Sequence, residues 1–158
     1  MIDNLLVSCL QKVFVLDWHG IHGAPHWSRV RQIGLRLAPH TGASLRVVEL
    51  FAFLHDACRR NDGHDPHHGP RAALLAERMN ATVLRLSEPE LGLLVVACQG
   101  HSDGQTHEDV TVSTCWDADR LDLGRVGIRP DPRRLCTAAA RDPALIRWAF
   151  SRSVANAG

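Results

Sequence analysis

The sequence has no apolar run that could cross a bilayer. Its longest, Leu93 to Cys98, is far short of a span, which needs roughly 20 residues. No basic leader followed by a small-residue cleavage site is evident, because Asp3, Lys12 and Asp17 interrupt the apolar N-terminal stretch. Cys9, Cys58, Cys98, Cys115 and Cys136 form an odd set with no CxxC spacing. That pattern speaks against a zinc finger or a disulfide framework and for reduced thiols in a cytoplasm. No charge of either sign dominates, with 18 basic against 17 acidic residues, so there is no strong nucleic-acid signal and no polybasic membrane anchor. Lysine is nearly missing, Lys12 being the only one. No alternating strand pattern persists, and neither internal repeats nor low-complexity tracts occur. The expectation is a cytoplasmic, all-α chain forming a single domain over residues 1–158.

Histidine, by contrast, is abundant. Ten lie between His19 and His107, four of them in the stretch from His55 to His68. Imidazole is the commonest metal ligand and titrates near neutral pH. Helical periodicity runs through most of the chain. Apolar positions recur from Ile2 to Trp18, and a second helix is predicted from Pro25 or His26 to Pro39–Gly42. A third, capped by Ser44, should reach about Arg60, and a fourth should run from about His67 to Asn80. Ser87 and Glu90 read as a capping box for a fifth helix reaching toward His101. A sixth is expected from about Glu108 to Leu121, a short one at Thr137–Ala140, and a C-terminal helix at about 142–153.

The third helix carries the chemistry. Leu45, Val48, Ala52 and His55 share one stripe, widened by Val47, Leu50, Phe51 and Leu54, so the segment reads as buried. Its end presents His55 beside Asp56. Burying a polar group without a partner costs roughly 2–7 kcal/mol, and an unpaired charge costs more. A divalent cation would satisfy both side chains, since imidazole and carboxylate are ordinary ligands. A core histidine capped by its neighbour is the plainer alternative, and other polar groups along the chain tilt the choice toward a metal.

Those groups are His26 in His26-Trp27-Ser28-Arg29-Val30, the pair His55-Asp56, and Asp117 in Asp117-Ala118-Asp119-Arg120-Leu121. In this order the chain resembles the HD-domain metal-dependent phosphohydrolases over about residues 19–125. The resemblance implies an HD-type helical bundle in which His26, His55, Asp56 and Asp117 hold a divalent ion (Mn, Fe, Co, Ni or Mg). His22 competes with His26, but lies in a glycine-flanked loop without the Arg-Val flank. Asp119 competes with Asp117, about 200° round the helix from it, and is expected to pair with an arginine or face solvent.

Some HD-domain subfamilies use further histidines for a second metal bridged by the aspartate of the pair. His68 and His101 stand in suitable stretches, so the resemblance allows one ion or two per chain; alternatively each binds phosphate or fixes a loop. Arg59 and Arg60 divide two roles between them, clamping a substrate phosphate and capping the helix end. Asp62 and Asp65 are candidates for positioning water or acting as general base, and His64 for touching substrate. Arginines replace the Glu-Asp pair of nucleotide-cleaving members, and no Gly-Tyr-Pro extension is evident. Hydrolysis of (p)ppGpp or of cyclic-di-GMP is therefore not expected. The resemblance implies a phosphohydrolase acting on a small phosphorylated metabolite or nucleotide. A di-iron oxygenase of the same type and a non-catalytic binding module are the alternatives, and homo-oligomerisation is left open.

Overall fold

A computed structural model describes residues 2–155 of the chain. Asp3 accepts a hydrogen bond from the Leu6 N–H at 2.8 Å and so starts α1 (Asn4–Val13). α2 (Ala24–Thr41) begins at Ala24-Pro25, where proline suits the first turn. Ser44 caps α3 (Leu45–Leu54), whose Val47, Val48, Leu50, Phe51, Ala52 and Leu54 are all buried. Next come α4 (His68–Met79), α5 (Glu88–Gly100) opened by the Ser87–Glu90 capping box, α6 (Val110–Arg120) and α7 (Pro143–Val154). No strand occurs among the described residues, so the fold is all-α as expected. No helix there is long and apolar enough to cross a membrane.

α3 is the axis of the bundle. It packs against α2, α5 and α6, and α4 lies along α5. The α4–α5 contact is tight at one point, where a Cβ on Gly69 would meet the Cys98 carbonyl oxygen at 2.6 Å. Only glycine lets the start of α4 seat on the end of α5, and this seating brings His68 to His101.

Several boundaries differ from the periodicity. α1 stops at Val13 although apolar residues continue to Trp18. Phe14 and Trp18 leave the helical path to pack edge-on against the buried Trp27, at centroid distances of 5.0 and 5.2 Å. α3 ends at Leu54 rather than near Arg60, and the chain continues in turns. The His55 ring lies 3.1 Å from the carbonyls of Phe51 and Ala52, claiming acceptors at the helix end with a side chain. Thr137–Ala140 is a turn, not a helix, because the Thr137 N–H and hydroxyl are both given to Asp117.

Candidate metal centre

Helix ends deliver the polar side chains to one buried place. His26 stands in the first turn of α2, and His55 and Asp56 directly follow α3. His68 opens α4, His101 follows α5, and Asp119 closes α6. His26 and His55 are fully buried, and Asp56, His68 and His101 almost so.

Hydrogen bonds fix which nitrogen of His26, His55, His68 and His101 faces the centre. The Nδ1 atom of His55 faces the carbonyls of Phe51 and Ala52, that of His68 the Asp65 carbonyl, and that of His101 the Cys98 carbonyl. Nδ1 of His26 lies 2.7 Å from Asp122 Oδ2. Carbonyl and carboxylate oxygens only accept, so each Nδ1 carries hydrogen and each Nε2 of a neutral ring carries a lone pair. These lone pairs face one another: His26 Nε2 is 3.0 Å from His55 Nε2, and His68 Nε2 is 2.9 Å from His101 Nε2. Two acceptors at such a distance call for a positive charge between or beside them.

Asp56 stands between the two pairs. Its Oδ2 lies 3.7 and 3.8 Å from Nε2 of His26 and His55, and its Oδ1 lies 3.2 and 3.5 Å from Nε2 of His68 and His101. The carboxylate is steadied from outside, accepting from His22 Nδ1 at 2.8 Å and from Arg59 Nε at 3.1 Å.

The last aspartate corrects the sequence reading. Asp117 is turned away from the histidines and accepts from Cys136 N–H at 2.6 Å, Thr137 N–H at 2.8 Å and the Thr137 hydroxyl at 2.7 Å. It ties the segment after Leu135 to α6 and has no ligand left to offer. Asp119, on the other side of the helix, places Oδ1 3.4 Å from His26 Nε2 and 3.6 Å from His55 Nε2. This buried oxygen has no hydrogen-bond partner, and the Arg125 guanidinium comes no closer than 3.8 Å. Native proteins rarely leave such an atom unsatisfied, and an ion missing from view is one reason they do.

These facts test the donor set, and it fits. His26, His55 and Asp119 converge as one group of potential ligands, and His55, Asp56 and His101 as another, with His68 beside His101. Four imidazole nitrogens with two carboxylates suit divalent transition ions.

Electrostatics act differently on the individual rings and carboxylates. Burial pushes the His55 imidazole down to about 3, against the pull of Asp56 and Asp119, so it stays neutral. Burial also works against charge on His101, but the hydrogen bond it donates to Asp56 and the charges of Asp119 and Asp56 more than offset it and raise its pKa. Asp56 and Asp119 are burdened by burial too, yet the surrounding histidines hold both below the usual carboxylate range.

The remaining candidates separate clearly. Arg59 belongs to the centre, donating to Asp56 and to the carbonyls of Asn61 and Gly63. Arg60 does not: its side chain is exposed, and only its N–H is engaged, by Asp65. The Asp62 carboxylate is likewise exposed, and only its carbonyl approaches, 3.3 Å from His22 Nε2. Asp65 accepts from Arg71 and the Arg60 N–H through Oδ2 and orients His68 through its carbonyl. His64 is exposed but lines a small cavity of about 250 Å³ with His68 and Arg59.

Sequence reasoning missed Asp122. It is fully buried, accepts from Arg29 Nε at 2.7 Å and Nη2 at 3.0 Å, and orients His26. Its signal was a matched spacing: His26 and Arg29 on α2 answer Asp119 and Asp122, each pair three residues apart. A cavity of about 430 Å³ opens on Asp56, His101 and Asp119, with several arginines in its wall.

Comparison of the chain with family models, curated proteins and solved structures finds no match.

Proposed function

We propose that the chain is a two-metal phosphohydrolase of the HD-domain type, acting on a small phosphorylated metabolite or nucleotide. One observation carries this reading above the others: two facing imidazole pairs with Asp56 between them, open to an arginine-lined cavity. The ordered motifs His26, His55-Asp56 and Asp117-Ala118-Asp119-Arg120-Leu121 support it from the sequence, with Asp119 instead of Asp117 facing the histidines.

His26, His55 and Asp119 would hold one divalent ion and His68 and His101 the other, with Asp56 available to both. When bound, such ions acidify water and polarise a phosphoryl oxygen. The chain does the rest. Asp122 and the carbonyls of Phe51, Ala52, Asp65 and Cys98 hold the rings in the tautomer that presents Nε2, the outer-shell support that metal-binding histidines usually have. Arg59 holds Asp56 through Nε and lines the cavity. Its guanidinium is placed to meet an anionic group and to stabilise charge developing on phosphorus.

Pairing of His68 with His101 also favours a second reading, a di-iron oxygenase, because imidazole-rich ligand sets suit iron as well. Metal-loaded protein decides between them. Phosphate release from phosphomonoesters or nucleotides, without oxygen uptake and lost in Asp56→Ala, supports the hydrolase. Oxygen consumption by the iron-loaded form on substrate addition supports the oxygenase and removes the hydrolase.

A further inference from the structure

The larger cavity has more arginine than the metal centre uses. Three of the arginines in its wall are committed. Arg59 holds Asp56. Arg120 donates to the carbonyls of Arg134 and Gln105. Arg125 donates to the carbonyls of Ile21 and Asp122.

Arg129 and Arg134 are different. Both are exposed and line the same cavity. The Arg129 guanidinium lies 5.4 Å from the Phe150 ring, and neither side chain hydrogen-bonds a carboxylate among the described residues. One acid in the wall, Asp131, feels the charge of Arg134 but is already held by Arg133 through bonds of 2.9 to 3.2 Å.

Local structure sets these residues in place. The 3₁₀ turn Leu123–Val126 is closed by Gly127 at φ 77°, a left-handed conformation that glycine adopts readily. Ile128, Arg129 and Pro130 follow at once and, with Leu123 and Leu135, put apolar surface in the same wall as the free arginines. Low-dielectric walls around unpaired positive charge focus the field on whatever enters, and the guanidinium fork matches carboxylate or phosphate.

We infer that Arg129 and Arg134 form a second anion subsite, so that the substrate carries two anionic groups. One is the reacting phosphoryl group at the His/Asp centre; the other is a carboxylate or second phosphate, joined to it by a short, partly apolar spacer. A cavity of about 430 Å³ is in the range of sites for small molecules. The inference rests on the proposal that the centre binds a phosphoryl group.

Calorimetric binding of two unreactive probes to manganese-loaded protein tests it. Phosphonopropanoate has both anionic groups; propylphosphonate lacks the second. Phosphonopropanoate should bind about tenfold tighter or more, as a charge-assisted contact allows. The Arg129→Gln/Arg134→Gln variant should erase that advantage and leave propylphosphonate binding unchanged. Arg147→Gln, which removes an exposed charge outside the cavity wall, should keep it. Equal affinity of the two probes, or an advantage that survives the double variant, overturns the subsite. Propylphosphonate that binds equally with and without metal instead removes the phosphoryl reading, and the arginine dependence of phosphonopropanoate still reports on the subsite. With diphosphate as a third probe, a preference over inorganic phosphate that depends on both arginines identifies phosphate as the second group; a preference confined to phosphonopropanoate over propylphosphonate identifies carboxylate.

Discussion

Asp119 Oδ1 stands 3.4 Å from His26 Nε2, buried, and no donor reaches it. Asp117, two residues earlier, has three donors and faces away. The two aspartates should therefore fail differently. Asp119→Asn should keep the fold and lose metal from the His26–His55 position. Asp117→Ala should keep that metal but cost about 3 kcal/mol, since it strips partners from the N–H groups of Cys136 and Thr137. Denaturant melts and metal analysis of both variants check this pair of outcomes.

The all-α class, the helix order and the positions of His26, His55, Asp56, His68 and His101 were legible in the sequence. They mark helix ends, and helix ends show in capping residues and broken periodicity. The choice between Asp117 and Asp119 was not legible, because α6 is buried over most of its surface. Burial alone then does not say which side meets the histidines and which meets Cys136 and Thr137. Arg60 and Asp62 were misplaced for a related reason. α3 ends six residues earlier than its pattern suggested, at Leu54 rather than Arg60, which turns Arg59 inward and leaves Arg60 outside.

Gly69 should be intolerant of any side chain. A Cβ there meets the Cys98 and Gln99 carbonyl oxygens at 2.6 and 2.8 Å. Gly69→Ala should destabilise the protein by about 1–3 kcal/mol and push His68 away from His101. Metal titration of this variant should show the His68–His101 position weakened more than the His26–His55 position.

Asp122→Asn should damage stability and metal affinity together. Removing the charge leaves Arg29 buried without its partner, at a cost of about 3–5 kcal/mol. It also loosens the ring of His26, and loss of such outer-shell support typically lowers metal affinity about 10–100-fold. Thermal melts with and without metal separate the two effects.

The metal-free protein should lose stability on acidification before its carboxylates titrate. The folded His55 titrates near 3 against 6.5 for an ordinary imidazole. Its contribution is complete above 6.5 and is lost as the pH falls toward 3, by roughly 1 kcal/mol per unit. His101, raised in the fold, is charged in both states below 6.5 and adds no slope there; its contribution fades as pH rises through its folded value. Asp56 and Asp119 add their own loss only below about 3.8. Chemical denaturation of metal-free protein between pH 4 and 6.5 reads the His55 slope, which His55→Asn should flatten.

The most direct measurement is the number of metal ions per chain after loading with manganese or iron. The two-pair geometry predicts two ions in the wild type, one in His68→Ala, and none held tightly in Asp56→Ala. A folded chain that takes up no divalent ion, or an Asp56→Ala variant that keeps the wild-type complement, would contradict the account.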